Sequence, residues 1–146
     1  MTRPDQAPES EIPDPEAADR PAPIVTIDPA DEDLAWALVA ARAADDKLGT
    51  DTVIIDVGEV LGITGWFVIT TGRNTRQVKA IAEAIEADLV EAGGPRPLRS
   101  EGRDEFNWVL IDYGGFVVHV FDTEARSHYG LDRLWSDRPH VALDAT

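Results

Sequence analysis

Residues 101–135 read EGRDEFNWVLIDYGGFVVHVFDTEARSHYGLDRLW. Two runs of alternating β-type residues meet at Gly114-Gly115, and a two-residue glycine turn is a strong hairpin signal. With that turn Tyr113 pairs with Phe116, and the register follows. Ile111 faces Val118 and Val109 faces Val120, which makes one face wholly apolar. The other face carries Trp108, Leu110 and Asp112 on one strand and Phe121, His119 and Val117 on its partner. There His119 stands across from Leu110 and Trp108 across from Phe121. A polar run and a short helical segment ending in Trp135 follow. Trp108, Asp112, His119, Tyr129 and Trp135 do not fit a plain core, so the mixed face needs a cover. One reading covers it with a second helix, that over residues 28–48. The other leaves it as an exposed platform, and an exposed apolar patch usually marks a binding site.

Upstream of the hairpin the pattern alternates helix and strand. Residues 28–48 read as a helix, with Asp28 as cap, Pro29 at the first helical position and Asp31 favouring the positive end of the dipole. Leu34, Leu38, Ala41 and Leu48 fall near one face, and Gly49 marks the end. TVIIDV (52–57) is a short β-branched run and reads as a buried strand. GEVLGITG (58–65) reads as a loop, and WFVITT (66–71) as a second strand. Asn74 with Gln77 three residues on makes a capping-box pattern for a helix over 75–92. Its stripe is Val78, Ile81, Ile85 and Leu89, and Gly93-Gly94-Pro95 ends it.

The 146 residues suggest one domain. Residues 1–29 hold seven prolines and little apolar content, so they read as a disordered acidic tail, leaving 30–146 as the folded unit. The tail has neither a basic start nor an apolar run, so it does not read as a secretory signal. No apolar stretch approaches the roughly 20 residues that span a bilayer. There is no cysteine, which removes thiolate chemistry and disulfides and makes a cytoplasmic location the simplest expectation. The formal net charge is −15; the tail, with seven acids and two bases, accounts for −5 and the folded part for −10. Such a domain repels phosphate backbones, so DNA binding is not expected and direct RNA contact should be slight. A basic protein partner is compatible with it.

The sequence shows no catalytic constellation, no metal site and no cofactor motif. His119, His128 and His140 lack the spacing of a helical metal pair, and there is no HExxH, P-loop, G-x-G-x-x-G or G-x-S-x-G. Gly72-Arg73-Asn74 precedes a helix N-terminus, where a phosphate can sit, with Arg73 and Arg76 adding charge. A structural cap looks the same in sequence. Asp31/Asp33 is the one D-x-D spacing, and it lies at a helix start.

FVITTG (67–72), RQVKAIAE (76–83), EG (101–102) and above all WVLIDYGGFVVHVFD (108–122), with Tyr129, Leu131, Leu134 and Trp135, resemble the ribosomal silencing factor (RsfS, or Iojap-like) family. The resemblance runs from about residue 31 to 140. Gly65-Trp66 departs from the Asp-Tyr pair common there, and Asp132 replaces a usual Glu. The resemblance implies an α/β domain, a mixed sheet flanked by helices, similar to nucleotidyltransferases but non-catalytic. It implies a protein that binds ribosomal protein L-fourteen on the large ribosomal subunit, blocks joining of the small subunit and damps translation when nutrients are scarce. It also implies a homodimer when free. The expected partner-binding residues are Trp108, Leu110, Asp112 and His119 on the mixed face, with Glu101, Glu124, Tyr129 and Trp135 around it. The competing expectation is a nucleotide-binding or nucleotidyltransferase-like enzyme, which rests on fold analogy and the Gly72–Thr75 turn.

Overall fold

The computed structural model describes residues 31–58, 65–134 and 136–141. The proline-rich tail, most of the 58–65 loop and Trp135 lie outside the described residues. Among the described residues five strands form one mixed sheet: β1 (Thr50–Asp56), β2 (Trp66–Gly72), β3 (Arg99–Glu101), β4 (Trp108–Asp112) and β5 (Phe116–Asp122). Their order is β1-β2-β5-β4-β3. β2 and β5 pair in parallel, and the other neighbours are antiparallel. Among the described residues the helices are α1 (Glu32–Asp46), α2 (Thr75–Glu91), α3 (Thr123–Tyr129) and α4 (Leu131–Leu134).

The β4–β5 hairpin has the register expected from its turn. Trp108 pairs with Phe121, Val109 with Val120, Leu110 with His119, Ile111 with Val118 and Asp112 with Val117. The Tyr113 N–H donates to the Phe116 carbonyl across the turn at 3.0 Å. Val109, Ile111, Val118 and Val120 are fully buried and share one core with α1 and α2. The expectation that the 28–48 helix covers the mixed face is therefore corrected: α1 lies on the wholly apolar side, beside α2. Its inward residues are Ala37, Ala40, Ala41, Ala43 and Ala44 around Leu34. Small side chains there let the helix sit close to both α2 and the sheet.

α1 begins one turn later than expected. Asp31, not Asp28, is its cap, accepting the Leu34 N–H at 3.0 Å. At the other end the Leu48 N–H reaches the Asp45 carbonyl (2.9 Å) and the Gly49 N–H reaches that of Ala44 (2.8 Å). This pair of bonds closes the helix with Leu48 in the left-handed position, at φ 65. Glycine usually fills that place, because a Cβ there costs energy. Leu48 is 68% exposed, so its side chain adds little in return. Leu48→Gly is therefore expected to stabilise the domain by about 0.5–1 kcal/mol. A raised urea midpoint with an unchanged m-value checks this, and a lowered midpoint refutes it.

α2 carries the expected Asn74 cap, but Gln77 reaches back to Arg73 rather than to the cap residue's own N–H. Asn74 Oδ1 accepts the Gln77 N–H at 2.9 Å, and Gln77 Oε1 accepts the Arg73 N–H at 2.7 Å. Gln77 also donates to the carbonyls of Lys47 and Leu48, tying the start of α2 to the end of α1. β3 has no sequence precursor: all three of its residues are exposed. The free side of β1 is occupied by the C-terminal segment. Asp56 donates to Pro139, and Val141, itself buried in the main core, donates to Ile54.

Candidate protein-interaction face

The second sheet face is covered unevenly. Ile55, Val57, Ile69 and Phe121 form a small core with Ala125 of α3, and Leu131 packs against it. Asp122 caps α3 by accepting the Ala125 N–H at 2.8 Å. Arg126 donates to Thr71 Oγ1 at 2.7 Å, anchoring α3 to β2. Beyond this cover Phe67, Trp108, Leu110, Asp112 and Val117 remain partly exposed.

Trp108 is the centre of an aromatic group. Its ring lies 5.0 Å from Phe121 and 4.4 Å from Tyr129, centroid to centroid. Tyr129, at the end of α3, is 52% exposed. The Trp108 indole Nε1–H donates to His119 Nδ1 at 3.2 Å. His119 is 4% exposed, so it lies within the face rather than presenting itself to a partner. Phe67 meets the His119 ring edge-on at 4.6 Å. The surroundings are apolar, and burial pushes the imidazole pKa down to about 4. His119 is thus neutral at physiological pH. Its Nε2 is buried and has no hydrogen-bond partner among the described residues.

The carboxylates divide into two kinds. Asp112 has its oxygens engaged: Oδ1 accepts the Gly114 N–H at 2.9 Å, and Oδ2 pairs with Arg99 Nε at 3.3 Å. It shapes the hairpin turn. Glu101, on the edge strand, is exposed and pairs with Arg99 as well. Glu124 is exposed and lines an open notch of about 220 Å³ with Asn107, Asp122, His128 and Tyr129. The notch adjoins the aromatic group through Tyr129.

Of the residues expected at the site, Trp108, Leu110, Asp112 and His119 share one sheet face, with Tyr129 packed against Trp108. Glu124 lies beside that group, Glu101 sits on the sheet edge, and Trp135 is outside the described residues. Phe67, Asn107 and Asp122 join the site without having been anticipated. Phe67 was hidden because only the parallel pairing of β2 with β5, which sets Phe67 opposite Val117, carries it there. Asp122 had a signal in hindsight, an acid directly before a helix.

The alternative site at Gly72–Thr75 forms a helix cap. Its cap bonds take up the N–H groups of Arg73 and Gln77, and the Val78 N–H bonds the Asn74 carbonyl. Asp31 is an N-cap, and Asp33 lies against Gly115 in the hairpin turn. Among the described residues no three His, Cys, Asp or Glu side chains stand close enough to hold a metal ion. None of the described helices is long and apolar enough to cross a membrane.

Comparison with known proteins gives a consistent assignment. The family described as "ribosomal silencing factor during starvation" matches residues 30–146. The ribosomal silencing factor RsfS of Bacillus subtilis is 41% identical over 106 residues, covering 73% of this chain and 89% of that one. A crystal structure of a Chromobacterium violaceum protein superposes with a TM-score of 0.68 at 34% identity, covering 71% of this chain and 86% of that one. Another, from Bacillus halodurans, gives a TM-score of 0.60 at 36% identity and covers 71% and 93%. The Gly-Gly hairpin with its Trp108–His119 face, the mixed sheet and these matches agree, and the chain belongs to the ribosomal silencing factor (RsfS) family.

Proposed function

We propose that this protein binds the large ribosomal subunit through ribosomal protein L-fourteen, excludes the small subunit by occupying the joining surface, and so represses translation under nutrient limitation. The observation that carries this reading is the partly open aromatic face of Trp108 and Tyr129 in a chain of the silencing-factor family. No reaction is required. A ligand that covers one joining surface shifts subunit association by mass action alone. The protein acts in this reading as a cytoplasmic, non-enzymatic factor that is a homodimer when free.

The chemistry of the face suits a basic protein. Aromatic residues dominate interface hot spots, and Trp108 and Tyr129 offer area that is already held in place. Glu124 and Asp122 beside Tyr129 favour lysine or arginine side chains. The net charge of −15 steers such a partner and repels bare RNA.

Sucrose-gradient sedimentation with purified subunits tests the reading. The protein should co-migrate with the large subunit and reduce the yield of joined ribosomes. Trp108→Ala should keep its fold, judged by circular dichroism, yet weaken large-subunit binding by about 2 kcal/mol or more. Undiminished co-migration of the folded variant would remove Trp108 from the interface.

A further inference from the structure

His119 is the most deeply buried polar group on the interaction face, and the proposed function makes no direct use of it. Its geometry gives it a task. Indole nitrogen carries a proton and can only donate. The imidazole nitrogen facing Trp108 Nε1 at 3.2 Å must therefore offer a lone pair. This places the imidazole proton on Nε2, and the neutral ring that results is the form burial also favours.

Trp108 is supported by stacking on Phe121 and Tyr129. Stacking restrains the plane of a ring but is nearly indifferent to which edge of the indole points where. The bond to His119 is not indifferent. Turning the indole over within the same stack would carry its nitrogen away from Nδ1 and leave a donor without an acceptor. The hydrogen bond thus selects one orientation of the ring. It also decides what a partner meets, because the polar atom of Trp108 is satisfied internally and the part still exposed is apolar.

We propose that His119 is a positioning residue, whose Nδ1 acceptor locks the Trp108 indole in a single orientation so that a partner protein meets a preorganised apolar anchor needing no hydrogen-bond acceptor of its own. This rests on the reading of the Trp108 face as the interface. Preorganisation strengthens binding because an ordered side chain has less freedom left to lose.

The test compares His119→Leu, which removes the acceptor, with His119→Asn, whose side-chain oxygen stands near the former Nδ1. Trp108→Ala serves as the reference variant. The Trp108 indole N–H, assigned in a ¹⁵N spectrum, should exchange slowly in the wild-type protein at neutral pH. In His119→Leu its resonance should move and exchange faster, and large-subunit affinity should fall roughly 3- to 10-fold. His119→Asn should recover both. A fast-exchanging indole in the folded wild type, or an unmoved resonance in His119→Leu, overturns the proposal. If the resonance moves while binding holds, and Trp108→Ala still loses binding, positioning alone is overturned and the interface stands. Wild-type affinity in Trp108→Ala overturns both.

Discussion

Gly102→Ala is expected to destabilise the domain by about 3 kcal/mol or more, at the upper end of single-residue effects. Gly102 has φ +88, where a side chain is strained on any residue. Strain is the smaller part of the effect. A Cβ at this position would press into the Trp108 carbonyl oxygen, and it would come within 2.9 Å of the Trp108 carbonyl carbon and 3.2 Å of Val109 Cα. These are backbone atoms at the start of β4, held in register by the pairing of Trp108 with Phe121. They cannot yield as a flexible side chain does. The Gly102 carbonyl also accepts the Phe106 N–H at 3.0 Å, so the loop that leads into β4 is fixed from both ends. Gly93→Ala provides the comparison. Gly93 has φ +80, but no atom of the described residues lies within 4 Å of where its Cβ would stand, so strain alone applies, about 1–2 kcal/mol. Thermal melts should place Gly102→Ala well below Gly93→Ala, with a drop from wild type of about 10–15 °C. Equal melting temperatures would show that the close approach at Trp108 is not rigid.

Acidification should destabilise the protein by about 3 kcal/mol between pH 6.5 and pH 4 through His119 alone. The sign follows from proton counts. Folding lowers the pKa of His119 from the ordinary histidine value to about 4. Between the two values the unfolded chain binds a proton that the folded chain does not. Stability is therefore full above about pH 6.5 and declines as pH falls toward 4. The rings against His119 are Trp108, Phe67 and Phe121, and none of them offers a compensating negative charge. Protonation would also put a second N–H where Trp108 donates, so the same pH change should loosen the indole. Carboxylates contribute their own slope, which the difference between wild type and His119→Leu removes. In urea titrations across this range wild type should lose about 3 kcal/mol relative to His119→Leu as the pH falls. Parallel curves would mean that His119 is hydrated.

The hairpin was legible in the sequence because its information is local. Gly114-Gly115 fixes the turn, the turn fixes the register, and period two assigns Ile111 and Trp108 to opposite faces. The α2 cap was legible for the same reason, since Asn74 and Gln77 are three residues apart. What escaped is nonlocal or unmarked. β3 is three exposed residues whose only claim to be a strand is the presence of β4. Phe67 reached the candidate face through a parallel pairing across some 50 residues of chain. Asp28 reads as the cap of α1 with Asp31 in its first turn, yet Asp31 is the cap; both are cap-type residues, and propensity does not choose between them. Leu48 occupies a place where a glycine is the usual signal. The candidate face was half legible: alternation put Trp108 and His119 on one side of the sheet, yet the hydrogen bond between their side chains is one that no pattern encodes.

The strand order carries a consequence for how the chain reaches this fold. β5 is the middle strand of the sheet and the last of the five in sequence. Until it is in place, β1–β2 and β3–β4 are two separate two-stranded pieces, and such ribbons are marginal on their own. Each also presents an open edge. Nucleation must therefore wait for contacts of long sequence separation, which slows folding. During synthesis the nascent chain stays without a continuous sheet until residue 122 has emerged, and its exposed apolar strands are the period of greatest aggregation risk.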